Sequence, residues 1–198
     1  FLTEIFNGNG DFDLDGTMLT FTPDPNTNSY LACRRSVTRF PTDPLGGQII
    51  PMVDDCYALV SLTNNMELSL FGRRTNAVLI GSNGDIVFDR PQNPAAQFDP
   101  TRGLHVGPYF DPYDYFERAR LSPLNVDLNP GVGGTVTWAQ FSNRLVVTYL
   151  NVPEFGRANL NSLQVEWFDD GVVRFIYLGV SPDIGANFGT PKVGLVSG

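Results

Sequence analysis

Four times along this chain an alternation of apolar and polar residues stops at a cluster of turn formers and then resumes. Cys56 to Leu62 and Met66 to Phe71 flank Thr63-Asn64-Asn65. Asn76 to Ile80 and Asp85 to Phe88 flank Gly81-Ser82-Asn83-Gly84. Thr135 to Ser142 and Arg144 to Leu150 turn near Asn143, and Ser162 to Phe168 and Val172 to Leu178 flank Asp169-Asp170-Gly171. A period of two places alternate side chains on opposite faces, which is the pattern of a half-buried strand. Asn, Asp and Gly between such runs supply the positive φ angles of tight hairpins. A fifth alternating run, Thr17 to Thr22, sets Leu19 and Phe21 on one face. The chain therefore reads as all-β, an antiparallel β-sandwich of jelly-roll-like topology. One short helix is expected near 111–118, where Asp111-Pro112 resembles an N-cap followed by a first-turn proline. Arg90 to Leu104 reads as a loop. With 198 residues the chain fits one β-sandwich domain, 1–198, preceded at 1–16 by an N-terminal strand and an acidic loop.

That acidic loop runs Asn7-Gly8-Asn9-Gly10-Asp11-Phe12-Asp13-Leu14-Asp15-Gly16. Oxygen-bearing side chains stand at every second position, and Ca²⁺ takes six to eight oxygen ligands. Asn7, Asn9, Asp11, Asp13 and Asp15 are the candidate ligands, and calcium is the expected cofactor. Asp11 to Gly16 matches the first half of an EF-hand loop, but Thr22 stands where the bidentate glutamate belongs. The alternative is a solvated acidic turn.

Net charge is −8, which argues against nucleic acid or an anionic membrane surface as partner. No run of about 20 apolar residues spans a membrane. Cys33 and Cys56 stand beside predicted strands. A disulfide between them would contribute on the order of 3 kcal/mol and implies an oxidising compartment; two reduced thiols are the alternative. The chain begins at Phe1, as a mature secreted protein trimmed of its leader would.

Reactive sets are sparse. The single histidine, His105, lies among apolar residues, no Gly-x-Ser-x-Gly elbow is present, and two cysteines with one histidine do not make a Zn²⁺ site. Asp54-Asp55, Glu154, Glu166 and Asp169-Asp170 qualify for glycoside hydrolysis by residue type alone. Two surfaces carry more information. Tyr109, Tyr113 and Tyr115 lie in a dense aromatic run suited to stacking on sugars, or to covering an open edge of the sandwich. Phe1, Leu2, Ile5 and Phe6 form a short apolar segment that pairs either with its own sheet or with that of a neighbour.

Leu70-Phe71-Gly72, the Val78–Phe88 stretch with its Asn-Gly turn, Gly133 to Trp138, Arg144 to Pro153, Ser162 to Gly171 and Val193-Gly194-Leu195 together resemble nidogen-like extracellular domains. The resemblance covers roughly Met66 to Gly198, and similar modules of secreted bacterial proteins carry an acidic loop and a strand like Leu19 to Pro23 in front. It implies a secreted, non-catalytic β-sandwich of adhesion or matrix assembly. Members often show an acidic pair before Leu-Asn-Pro; here only Asp127 precedes Leu128-Asn129-Pro130. The expectation is a non-enzymatic extracellular protein, bacterial in origin, that assembles head to tail with copies of itself into a fibre or matrix stabilised by calcium. A calcium-dependent carbohydrate-binding or adhesion module is the alternative.

Overall fold

The computed structural model describes residues 2–7, 10–88, 116, 118–186 and 190–198. Two antiparallel sheets pack face to face, and the described residues contain essentially no helix. The seven-stranded sheet is built on the two C-terminal hairpins. In it β11 (Thr135–Gln140), β12 (Arg144–Val152), β13 (Asn161–Phe168) and β14 (Val173–Tyr177) follow one another as a meander. β2 (Thr17–Pro23) and β3 (Tyr30–Ser36) extend it on the β14 side, and β4 (Gln48–Ile50) closes the β11 side. The six-stranded sheet holds, in spatial order, β1 (Leu2–Ile5), β15 (Lys192–Ser197), β10 (Ala119–Asn125), β9 (Ile86–Val87), β8 (Ala77–Gly81) and β5 (Tyr57–Ser61). β6 (Leu68–Leu70) and β7 (Arg73–Thr75) form a separate two-stranded ribbon.

Register explains why the alternation works. Val147, Val165 and Phe175 stand side by side across β12, β13 and β14. Ala58, Ile80, Ile86, Leu121 and Leu195 do the same across the other sheet. These two apolar rows face each other as one buried core. Three polar tips tie elements together across the core. Tyr149 Oη donates to Gly81 O (2.7 Å), Tyr177 Oη to Pro123 O (2.6 Å) and Trp167 Nε1 to Ser69 O (3.0 Å). β13 is buried on its outer face too, because residues around Thr42 cross it. Thr42 exchanges hydrogen bonds with Gln164 and donates from Oγ1 to Glu166 Oε1 at 2.8 Å.

Three expectations need correction or placement. The turn at Asn64-Asn65 is real, with φ of +55° and +57°, but it does not join a hairpin. β5 pairs with β8, and β6 pairs with β7, because Ala58 and Val60 bury against Ile80 and Val78. The Cys33–Cys56 disulfide is not formed. Cys33 is exposed on the outermost strand of the seven-stranded sheet, while Cys56 is buried beside β5 in the other sheet. Of the helix expected at 111–118 only residues 116 and 118 are described; Tyr109, Tyr113, Tyr115, His105, Phe1 and Asn9 lie outside the described residues.

Candidate metal centre

Among the described residues, the carboxylates of Asp11, Asp13 and Asp15 form no metal-sized cluster. Phe12 and Leu14 are buried, and Phe12 packs between Phe6 (ring centroids 5.1 Å) and Tyr177 (5.5 Å). With the apolar residues turned inward, the acids point away from the core to separate partners. Asp11 accepts from its neighbour Asn7 N–H at 2.6 Å. Asp13 pairs with Arg34 at 2.8 Å. Asp15 Oδ1 accepts from Gly179 N–H (2.7 Å) and Val180 N–H (3.0 Å). The segment is an amphipathic extended strap, and its carboxylates hold chain to chain.

Acids do converge at the end of the sandwich where three loops meet. Asp54 and Asp55 form the turn before β5, and Asp127 follows β10. Single carboxylate oxygens from the three lie within 4.8 Å of one another, so the cluster could hold a metal ion; it is the only such group among the described residues. Asn83, in the β8–β9 turn, rivets the loops together. Its Nδ2 donates to Asp55 Oδ1 (2.8 Å), its Oδ1 accepts from Leu128 N–H (3.1 Å), and its carbonyl accepts from Val126 N–H (3.1 Å). Cys56 N–H donates to Ser82 Oγ (3.0 Å) and Ser82 N–H to Cys56 O (2.8 Å), which fixes the Asp55 turn to the same hairpin. Gly84 is required there: its φ is +72°, and a Cβ would come within 2.5 Å of Leu124 O.

Among the described residues nothing compensates the charge at the cluster. None of the ion pairs among the described residues involves Asp54, Asp55 or Asp127. Asp127 is 8 % exposed, and no side-chain hydrogen bond reaches its carboxylate among the described residues. Burial, then the charges of Asp55, Asp54 and Glu154, push it up to about 6. Burial and the Asp55 charge raise Asp54 as well, and its Oδ1 is buried without a hydrogen-bond partner. Such a group resists ionising unless a cation or a proton joins it.

A pH dependence follows for the cation-free protein. The folded state holds the Asp127 proton more tightly than the unfolded chain does, so between about pH 4 and 6 it binds more protons and stability falls as pH rises. Above about 6 the penalty is complete. Asp127→Asn is therefore expected to be more stable than the parent protein at pH 8 in chelator, with the advantage disappearing by about pH 4. Chemical denaturation of both at the two pH values checks this.

Glu166 and Glu154, two of the remaining acids noted in the sequence, have structural partners. Glu166 is bound by Arg144 (3.3 Å), Arg174 (3.1 Å) and Thr42. Glu154 accepts from Gly185 N–H (2.6 Å) and from Asn159 Nδ2, and pairs with Arg157 at 3.3 Å. Asp54 and Asp55 were visible in the sequence only as acids of the right type, and Asp127 only as the single acid before Leu-Asn-Pro; nothing in their spacing joins them. Comparison of the chain with protein-family models, with curated proteins and with solved structures finds no match.

Proposed function

We propose that this protein is a non-enzymatic structural subunit of an extracellular bacterial fibre or matrix, stabilised by calcium and assembled by exchange of its N-terminal strand. The nidogen-like resemblance and the structural partners of Glu154 and Glu166 agree with this reading. The observation that carries it is the seat of β1. This four-residue edge strand pairs antiparallel with β15, Leu2 opposite Leu195 and Ile5 opposite Lys192. Phe6 N–H continues the ladder to Pro191 O at 2.9 Å. Yet Leu2 is 41 % and Ile5 53 % exposed, so its own sandwich covers only part of the strand; Phe6 alone is fully buried.

A strand so placed is a ready donor. In the sequence it is followed by Asn7-Gly8-Asn9-Gly10. Inserted beside the β15 of a second copy, it re-forms the same main-chain bonds, and the neighbour can cover Leu2 and Ile5. The balance then depends on concentration. A copy that donates to one neighbour and accepts from another propagates a filament without closing.

Gly194 supplies the test. A side chain there would run into Leu2 O and lie 2.6 Å from Thr3 Cα, so β1 can seat against β15 only because residue 194 is glycine. Gly194→Val is expected to leave β1 unpaired in both the closed and the exchanged form. Electron microscopy and sedimentation should then show fibres for the parent protein in calcium and monomers for the variant. Parent protein that stays monomeric at high concentration, or a variant that assembles equally well, defeats the reading.

A further inference from the structure

We propose that Asp54, Asp55 and Asp127 hold one Ca²⁺ ion, which clasps the turn before β5 to the segment after β10. The choice of calcium rests on the functional reading above; the site itself rests on its geometry. Three carboxylates whose oxygens approach within 4.8 Å have no ion-pair partner among the described residues. Asp127 adds a separate indication. It is more than nine-tenths buried, contributes its carboxylate to the group, and receives no hydrogen bond there among the described residues. Asp54 Oδ1 is likewise buried and unpartnered. Burying such oxygens is unfavourable unless something positive meets them.

The ligand chemistry selects the ion. All candidate donors are hard oxygens, with no thiol or imidazole among them, which suits Ca²⁺ or Mg²⁺ rather than Zn²⁺ or copper. Asp54 and Asp55 are half-buried, so water reaches one side of the cluster and can complete a coordination shell of six to eight. The loops are held by Asn83 rather than by a rigid octahedral frame, and Ca²⁺ accepts irregular shells that Mg²⁺ does not. Glu154 stays outside the shell, since both its oxygens already accept hydrogen bonds.

The experiment is calorimetric titration of Ca²⁺ into chelator-treated Gly194→Val protein. This background is monomeric under the assembly reading, so cation binding and assembly are scored separately. One ion per chain is expected, with a dissociation constant on the order of 0.1–1 mM, as in extracellular modules. The melting temperature should rise with Ca²⁺. Adding Asp127→Asn should weaken binding by more than about tenfold, while adding Asp13→Asn should leave it unchanged. Asp127→Asn relieves repulsion in the empty site, so it should fold at least as well, and circular dichroism verifies that. The assignment fails if Ca²⁺ gives neither heat nor a thermal shift, if Asp127→Asn binds like the parent, or if Asp13→Asn abolishes binding. Mg²⁺ binding as tightly as Ca²⁺ overturns the choice of ion.

Discussion

Trp167→Ala is expected to lower the unfolding free energy by about 3–5 kcal/mol, among the largest effects available to a single side chain here. Trp167 is fully buried at the centre of the core and stands opposite Leu145 and Val173. Its ring lies 6.0 Å from that of Phe88, and its Nε1 donates to Ser69 O on the β6–β7 ribbon. Truncation removes apolar burial, leaves a cavity and strips that carbonyl of its donor, three costs at one position. Trp167→Phe keeps most of the ring and is expected to recover more than half of the loss. Urea unfolding followed by the shift in midpoint at constant slope gives the comparison. A loss below about 1 kcal/mol would show that the two sheets are held chiefly elsewhere.

Asp85→Ala should cost a similar amount by a different route. Asp85 is completely buried, and its Oδ2 meets Arg120 Nη1 at 3.3 Å and Tyr57 Oη at 3.0 Å. Burial raises the Asp85 carboxyl, against the pull of the Arg120 charge and the Tyr57 hydroxyl. Arg120 itself is 1 % exposed. Removing the carboxylate takes an ion-pair partner from a buried guanidinium, for which about 3–5 kcal/mol is the usual loss. Replacing both residues with apolar ones of similar volume, Asp85→Leu with Arg120→Met, should be far milder, because no charge is then buried. The double-mutant cycle therefore should show strong coupling. Additive losses in the double variant would contradict an ion pair that matters mainly through burial.

Much of the fold was legible. The β8–β9, β11–β12 and β13–β14 hairpins were read correctly, since each depends on residues close in sequence: an alternating run, a turn such as Asp169-Asp170-Gly171, and a second run in register. Gly171 indeed takes φ +89°. β10 escaped notice for a physical reason. Its residues Ala119 to Leu124 are buried on both faces, and Arg120, Ser122 and a bulge-associated Pro123 erase the alternation that marks a one-sided strand. β3 escaped for the opposite reason, as an edge strand exposed along nearly its whole length that needs no apolar face.

The functional residues divide along the same line. Alternation at Asp11, Asp13 and Asp15 looks alike in a ligand loop and in an amphipathic strap; the burial of Phe12 and Leu14 and the separate partners of the three carboxylates belong to the assembled molecule. Cys33 and Cys56 stand in different sheets, which their spacing does not disclose. Local side-chain periodicity and turn chemistry determined the strands and the sandwich, because both act over a few residues. The meeting of Asp127 with Asp54 and Asp55 was decided only by tertiary structure. It depends on β10 and β5 entering the same sheet with β8 and β9 between them, a long-range pairing set by which apolar rows bury together.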